Sequence, residues 1–231
     1  MISRPHGFTA VMAQRREPPN ALDYFPTPPW ATRALFRHVL PELGVHTVDQ
    51  VWEPACGEGH MAAVIAEFAQ GRVIATDIFD YGYGRAPVDF LDRLVPAGAD
   101  GVDWIITNPP FKPADQFAQR ALDRAGVGAA LLLRTQWLES EERYQSIFRD
   151  RPPTLFAPFV ERVPMLRGRW EPNASTATSY SWFVWMRGLA PRPPFWIPPG
   201  CRAALSRPDD RRRFASSAAG QPLFSPDPAD D

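Results

Sequence analysis

A short proline-rich loop near the middle of the chain carries the residues best suited to chemistry. It reads Asn108-Pro109-Pro110-Phe111 and directly follows an apolar run, Trp104-Ile105-Ile106-Thr107. The side-chain carbonyl of Asn108 and the backbone carbonyl of Pro109 can each accept a hydrogen bond, and proline fixes the backbone around them. Two such acceptors can hold both hydrogens of a planar amino group, while Phe111 offers a face on which a flat ring can stack. The loop predicts chemistry at an exocyclic amino nitrogen, and the alternative is a plain turn with Phe111 in the core.

A glycine turn upstream has the pattern of a ligand-binding loop. It reads Glu53-Pro54-Ala55-Cys56-Gly57-Glu58-Gly59-His60. Gly57 and Gly59 have no Cβ, so the backbone can approach a ligand closely, and the helix that follows presents free N–H groups. Glycines at this spacing are common in tight turns, but Glu53 and Glu58 would repel a phosphate and attract a cation. A ligand with a sulfonium and an ammonium group, S-adenosylmethionine, fits this charge.

Two aspartates further along fit the remaining parts of such a ligand. Asp77 closes an apolar run and is followed by Ile78, and a carboxylate at this position commonly accepts the two hydroxyls of a ribose. Asp89 could accept a hydrogen bond from an adenine amine, with Phe90 or Phe79 against the ring. The alternatives are a surface acid for Asp77 and a helix cap for Asp89.

The elements that must position these residues alternate between β-rich and helical segments, which is typical of a doubly wound α/β sheet. The predicted strands are 48–53, 73–77, 104–107, 129–133 and 180–186, and the predicted helices are 61–68 and 114–125.

Composition narrows the function classes. A chain of 231 residues suits one α/β domain, and it has no run of about 18 apolar residues such as a membrane helix needs. It begins without a secretory signal and has two cysteines, Cys56 and Cys201, which favours a reducing cytoplasm. The formal net charge of −1 gives no bulk attraction to a polyanion, so any contact with nucleic acid must come from a local patch.

Together these motifs resemble the amino-group methyltransferases, and specifically the small phage- and prophage-type adenine-N6 DNA methyltransferases. The resemblance covers about Asp23 to Pro199. It implies a Rossmann-like, doubly wound mixed sheet of the class I S-adenosylmethionine-dependent type, with double-stranded DNA as partner. It further implies direct in-line transfer to a flipped base without a metal. In this resemblance 53–59 is the cofactor loop, Asp77 the ribose acid, Asp89 the adenine contact and 108–111 the catalytic motif.

The segment Asp23-Tyr24-Phe25-Pro26-Thr27-Pro28-Pro29-Trp30 resembles the part of the family that lies over the methionine end of the cofactor, through Tyr24, Thr27 and Pro28. The chain departs from larger members in having no room for a recognition domain between Glu53 and Asn108. The insertion 136–179 is the remaining candidate, because its arginines and aromatic residues suit phosphate contact and base stacking. An ordinary solvated insertion and a separate protein partner for target recognition both stay open.

The expected organisation is a flexible arm at 1–20, a catalytic domain at 21–200 and a largely disordered tail at 201–231, in which Arg211–Arg213 is a solvated charge run. Two other functions stay open. The same tetrapeptide could hold a protein glutamine or an amine of RNA, and a cofactor-binding accessory subunit without turnover is the third interpretation.

Overall fold

The fold is built on one mixed sheet, seen in a computed structural model that describes residues 23–214; the predicted arm at 1–20 and residues 215–231 lie outside that range. Within residues 23–214 the sheet has six strands, in the spatial order β2-β1-β3-β4-β6-β5. Their bounds are β1 Val51–Glu53, β2 Val73–Ala75, β3 Trp104–Thr107, β4 Gly128–Arg134, β5 Leu155–Pro158 and β6 Tyr180–Met186.

Helices precede the first strand, lie between later strands and follow the last one. Their bounds are α1 Pro29–Ala34, α2 Leu40–Glu42, α3 His60–Ile65, α4 Ala114–Arg124, α5 Glu141–Arg143, α6 Cys201–Leu205 and α7 Asp210–Phe214. A π-helical turn, Leu35–Val39, joins α1 to α2. A 3-10 turn spans Thr135–Leu138 and a second π-helical turn spans Tyr144–Phe148. In the described part of the chain no helix is both long and apolar enough to cross a membrane.

The strand directions confirm the predicted doubly wound mixed sheet. β1 lies between β2 and β3 and is parallel to both, and β4 continues parallel to β3. β6 then runs antiparallel between β4 and β5. Because the carboxyl ends of parallel strands meet at one edge, the residues that follow β1, β2 and β3 come together there.

Both faces of the sheet are covered, which explains why its central strands are apolar throughout rather than alternating. Ile106, Leu132 and Trp182 pack on one face beneath α1 and α3. Ile105 and Leu131 pack on the other face, with α4. Successive residues of β3 and β4 thus alternate between two cores, as the period of a strand requires.

Most predicted elements are present, with shifted ends. Strands 104–107 and 180–186 match β3 and β6, and 129–133 extends by one residue at each end to become β4. The strand predicted at 48–53 begins only at Val51, because Val48 makes an isolated bridge to Ala69. The strand predicted at 73–77 ends at Ala75, since Thr76 bridges to Arg85. The two helices predicted at 61–68 and 114–125 are α3 and α4.

The segment 136–179 differs from the simple insertion that was expected. It contains β5, which pairs with β6 from Leu155 to Pro158 and so extends the sheet. The other side of β5 is covered by a later segment, in which the amides of Phe195 and Ile197 donate to the carbonyls of Phe156 and Pro158, both at 3.0 Å. A four-residue strand ending in proline gives too weak a pattern to be recognised in a sequence.

The predicted tail is also different over residues 201–214, where α6 and α7 are folded against the domain. A buried ion cluster, rather than an apolar repeat in the sequence, holds α7 against the domain. Arg33, 2% exposed in its side chain, pairs with Glu67 at 2.9 Å and with Asp210 of α7 at 2.7 Å. Arg213 also contacts Glu67 at 2.6 Å, so the charge run 211–213 is not wholly solvated.

Candidate active site

A cavity of about 250 Å³ opens at the carboxyl edge of the parallel strands and joins the three predicted motifs. The predicted site residues that line it are Tyr24, Thr27, Glu53, Pro54, Ala55, Asp77, Ile78, Asp89, Phe90, Asn108, Pro109, Pro110 and Phe111. Three others, Pro28, Gly57 and Gly59, lie outside that lining, although both glycines belong to the turn whose residues Glu53–Cys56 line it.

The glycine turn has the left-handed backbone that its glycines allow. The φ angles of Gly57 and Gly59 are +51° and +83°. A Cβ on Gly57 would lie 2.2 Å from the ring of Tyr24, and a Cβ on Gly59 would lie 2.4 Å from the ring of Tyr83. The space that the glycines leave is therefore taken by two tyrosine rings of the protein itself, so the glycines are required for this close packing as well as for the turn.

Glu53, the last residue of β1, is a buried acid with an unmet hydrogen-bonding oxygen. It is 2% exposed, and its Oε2 has no partner among the described residues. Burial and the nearby charge of Asp77 raise the pKa of this carboxyl well above its usual value, against the lowering effect of the Ala62 amide. A carboxyl group held in this way, on the wall of a cavity, is stabilised as an anion when a cation enters.

Glu53→Gln should stabilise the ligand-free protein at neutral and alkaline pH. Because the folded pKa lies above the unfolded one, the stability linked to this group is fully present below the unfolded pKa and is lost as the pH rises toward the folded pKa. Thermal unfolding at about pH 5 and about pH 8 would show it, since the melting temperature of the variant should exceed that of the wild type more at the higher pH. A lower melting temperature of the variant at both pH values would contradict the argument.

Asp77 ties the glycine turn to the end of β2. Its Oδ2 accepts the amide N–H of Gly57 at 2.8 Å, and its Oδ1 accepts that of Phe79 at 3.0 Å. Burial raises the pKa of Asp77, and the amides of Phe79, Gly57 and Ile78 act against that rise. Each carboxylate oxygen keeps a further lone pair, so Asp77 can hold the turn and still accept a ligand hydroxyl.

Asp77→Asn should weaken cofactor binding and lower the melting temperature, because an amide has one oxygen acceptor and cannot satisfy both backbone donors. Calorimetric titration with S-adenosylmethionine measures the first effect and thermal unfolding the second. The matched control is Asp80→Asn, since Asp80 is exposed and its recorded contact within residues 23–214 is the amide of Gly82, which it accepts at 2.8 Å. Unchanged affinity in the Asp77 variant would remove that residue from the binding site.

Asp89 lies at the cavity, and one of the two candidate rings beside it does too. Asp89 lines the cavity, and its Oδ1 accepts the amide N–H of Leu91 at 2.8 Å within a turn; in the described part of the chain no helix begins there for it to cap. Phe90 lines the cavity, whereas Phe79 does not. Phe90 is 2% exposed and packs against the Trp52 ring at 5.0 Å, so it forms a fixed wall.

The loop Asn108–Phe111 contains a buried acceptor with no partner among the described residues. Asn108 Nδ2 donates to the backbone carbonyl of Phe25 at 2.9 Å and approaches the sulfur of Met165 at 3.5 Å. These contacts fix the orientation of the amide, because only the nitrogen can donate to that carbonyl. Asn108 Oδ1 is buried beside the cavity and has no partner among the described residues. The side chain is thus held in place by its nitrogen while its oxygen remains available for a donor.

Phe111 is held at both its backbone and its ring. Its amide N–H donates to Asp23 Oδ2 at 2.6 Å, and its ring centroid lies 4.9 Å from that of Phe25. The guanidinium of Arg134 lies over the Phe111 ring, 4.0 Å from its centroid. The ring therefore lies at the cavity as expected, but one face is already in contact with a cation, which the sequence pattern did not predict.

The segment 23–30 crosses the glycine turn, and Tyr24 makes the contacts. The Tyr24 hydroxyl accepts the amide N–H of Glu58 at 3.3 Å and lies 3.4 Å from His60 Nδ1. His60 in turn contacts the carbonyl of Phe214, at 2.9 Å from Nε2. Thr27 is 3% exposed, while Pro28 caps α1. The segment, the glycine turn and the C-terminal helix are thereby connected through His60.

The cavity lining also contains residues that were not among the predicted site residues, and four of them make contacts that shape the site. Asp23 and Phe25 belong to the quoted upstream segment, and His60 ends the quoted glycine turn, so the motifs contained them without assigning a role. Tyr81 also lines the cavity, and its ring packs against that of Tyr24 in a tilted arrangement, with the centroids 4.6 Å apart. Tyr81 lies in an irregular loop after β2, where no periodicity indicates which side chains turn inward.

The arginines of segment 136–179 are mostly engaged within the protein. Arg143 pairs with Asp115 at 2.8 Å and lies over the Trp137 ring, and Arg151 pairs with Asp123 at 2.6 Å. Arg169 pairs with Glu171 at 2.6 Å. These contacts give the arginine–aromatic pattern a structural role at several positions. In residues 23–214 no group of three or more potential metal ligands is clustered.

Neither a protein-family model nor a curated protein sequence matches this chain. Several solved structures do match it. A candidate class I S-adenosylmethionine-dependent methyltransferase of Listeria monocytogenes matches with a TM-score of 0.53 and 11% identity, over 74% of this chain and 64% of that one. The modification subunit of a candidate type I restriction enzyme from Vibrio vulnificus matches with a TM-score of 0.51 and 17% identity, over 77% of this chain and 48% of that one.

A candidate RNA methyltransferase of Pyrococcus horikoshii matches with a TM-score of 0.53 and 13% identity, over 74% of this chain and 91% of that one. The chain thus spans about half the length of the Vibrio subunit and nearly two thirds of the Listeria protein. At these identities the likeness concerns the backbone arrangement. The chain has the Rossmann-like fold of the class I S-adenosylmethionine-dependent methyltransferases.

Proposed function

We propose that this protein is an S-adenosylmethionine-dependent methyltransferase that methylates the exocyclic N6 amino group of adenine in DNA. The observation that carries the proposal is a pair of buried, unpartnered oxygens on one cavity: Glu53 Oε2 in the cofactor half and Asn108 Oδ1 in the catalytic loop. An unpartnered buried acceptor is costly and calls for a ligand donor or cation. A cationic ligand at one end of the cavity and an amino group at the other would give these two oxygens their partners.

The cofactor half carries acidic residues suited to the cationic and hydroxyl groups of S-adenosylmethionine. Glu53 would face the positive charge of the ligand, Asp77 the ribose hydroxyls and Asp89 the adenine amine. Tyr24 and Thr27 would cover the methionine end, with Tyr81 beside Tyr24. The bound sulfonium supplies an activated methyl group, so the protein has to provide position and a polar surrounding rather than a metal or a nucleophile.

The target half is built to hold a planar amino group. Asn108 Oδ1 would accept one amino hydrogen and the Pro109 carbonyl the other, which favours a pyramidal nitrogen with its lone pair toward the methyl. Because Asn108 is already held through Phe25, the acceptor need not be ordered when the substrate binds. The Phe111 ring would stack on the extruded base, offsetting part of the cost of flipping, since base–aromatic stacking contributes about 1–3 kcal/mol.

Adenine in DNA is favoured as the substrate by the resemblance of the 23–30, 53–59 and 108–111 motifs to the small adenine-N6 enzymes. The fold shared with a restriction-system modification subunit supports the same choice. The fold shared with a candidate RNA methyltransferase makes RNA the first substrate to compare. Since the Vibrio subunit is about twice as long as the matched part, a partner protein for target recognition is part of the proposal.

The test uses the full-length protein with methyl-labelled cofactor and, in parallel, mixed-sequence duplex DNA, structured RNA and a protein with exposed glutamines. Label recovered as N6-methyladenine from DNA, and lost in Asn108→Ala, is the expected result. Label in RNA or in glutamine but not in DNA would replace the proposed substrate. Cofactor binding by calorimetry without transfer to any of the three would identify a binding subunit instead of an enzyme.

A further inference from the structure

An exposed arginine at the rim of the cavity, Arg134, stands apart from the other arginines of this region. It is the last residue of β4 and lies opposite Tyr180, the first residue of β6. Its guanidinium carbon is 4.0 Å from the centroid of the Phe111 ring. The end of β4 thus places this cation directly above the Phe111 ring.

The charge of Arg134 is not neutralised by its contacts. None of the ion pairs recorded within residues 23–214 involves Arg134, and Asp23 accepts the amide of Phe111. Arg134 contacts the aromatic face of Phe111, and burial raises the pKa of the neighbouring Tyr180, so that hydroxyl adds no negative charge. Arg143, Arg151 and Arg169 differ, because each is paired with a carboxylate.

We propose that Arg134 positions the substrate by binding the backbone phosphate of the nucleotide whose base stacks on Phe111. The inference rests on the proposed function and names the group that anchors the DNA there. A flipped base remains joined to its own phosphates, so a free cation beside the stacking ring lies within reach of one. The guanidinium fork matches two phosphate oxygens, which a lysine ammonium cannot do.

The contact with the Phe111 ring fixes the position of the Arg134 guanidinium in the absence of DNA. An exposed cation–π contact is weak compared with a charge-assisted bond to phosphate, so the phosphate can draw the guanidinium away from the ring. The movement would free the ring face for the base at the moment the phosphate is bound. Arg134 is therefore a positioning residue that couples capture of the backbone to opening of the stacking face.

The experiment compares Arg134→Met and Arg134→Lys with the wild type. Affinity for a fluorescent mixed-sequence duplex is measured by anisotropy with S-adenosylhomocysteine present, across a fourfold rise in salt. Loss of one phosphate contact should reduce the slope of log affinity against log salt by about one, so the wild type should lose about threefold more affinity than Arg134→Met over that range. Arg134→Lys should keep the slope but have a higher KM for DNA.

Arg72→Met is the matched control. Arg72 is exposed and donates to the carbonyl of Gly98 at 2.8 Å, but it precedes β2 and so lies at the opposite edge of the sheet. Its salt slope should equal that of the wild type. Thermal unfolding of each variant separates a lost contact from a lost fold, and Arg134→Lys retains the charge if Arg134→Met is unstable.

The outcomes separate the inference from the proposed function. A wild type that methylates DNA, with an Arg134→Met variant of unchanged slope and unchanged kinetics, overturns the role of Arg134 and leaves the function intact. A slope reduced equally by Arg72→Met also overturns it, because the effect would then be one of general charge. A wild type that methylates no DNA overturns the proposed function itself.

Discussion

Asn108→Ala should reduce methyl transfer by roughly 10²–10³-fold, the loss typical when one preorganised hydrogen-bonding group of a reaction site is removed. The buried Oδ1 of this side chain is unpartnered and would accept a hydrogen of the reacting amino group. Cofactor affinity should change little, because Glu53 and Asp77 hold the other half of the cavity. Single-turnover transfer to DNA and calorimetric titration with S-adenosylmethionine measure the two effects separately.

Two further variants make this result specific. Thr107→Val is the matched control, because Thr107 is buried directly before Asn108 and its hydroxyl has no partner in the part of the chain that the structure describes. An isosteric apolar residue should therefore fold and react normally. Asn108→Asp keeps an acceptor but turns an oxygen toward the Phe25 carbonyl, where the nitrogen now donates at 2.9 Å, and it should also be impaired. Transfer by Asn108→Ala within a few-fold of the wild type would refute the role assigned to Oδ1.

Arg33→Ala should cost about 3–5 kcal/mol of the free energy of unfolding, the range for removing one partner of a buried ion pair. The guanidinium donates to both oxygens of Asp210, at 2.8 and 2.7 Å, and to both oxygens of Glu67, at 2.9 and 3.0 Å. Its loss leaves the buried Asp210 without the guanidinium that faced both of its oxygens, while Glu67 keeps its pairs with Arg207 and Arg213. Denaturant unfolding measures the change, and Arg149→Ala is the control, because Arg149 pairs with Asp150 on the surface and should contribute little.

The same cluster sets a pH dependence of stability. Burial alone would raise the pKa values of Glu67 and Asp210. Hydrogen bonds from Arg33 to both acids outweigh burial, helped by a bond from Arg213 to Glu67 and one from the Arg207 amide to Asp210. Both pKa values are therefore lowered. Groups with lowered folded pKa values stabilise the protein above their unfolded pKa, and that stability is lost as the pH falls through the folded value. The wild type should therefore lose stability below about pH 4, and Arg33→Ala should show less of this loss. Equal acid sensitivity of both proteins would contradict the assignment.

The parts of the fold that could be predicted are those in which local pattern and burial agree. β3 and β6 are continuous apolar runs buried on both faces, and their bounds match the prediction. The resemblance assigned the loop 108–111 and the glycine turn to one site, and because both follow parallel strands of the sheet they line one cavity.

The rest depends on contacts between residues far apart in the chain. α7 is short and charged, and it is ordered by Arg33, which lies 177 positions earlier. Arg134 reaches Phe111 because β4 and the catalytic loop end at the same edge, which spacing alone does not show. The orientation of the Asn108 amide likewise depends on Phe25, 83 positions away. Polar and ionic contacts of this kind have no period, so a sequence pattern does not reveal them.

The hydrogen bond from His60 to the Phe214 carbonyl means that the last described turn of the chain and the wall of the cavity are one cooperative unit. Ligand occupancy of the cavity should consequently slow amide hydrogen exchange at the C-terminal end of the domain, although no ligand atom would touch that helix. A tag or fusion attached close behind Phe214 would, for the same reason, act on the ligand pocket rather than on a passive end.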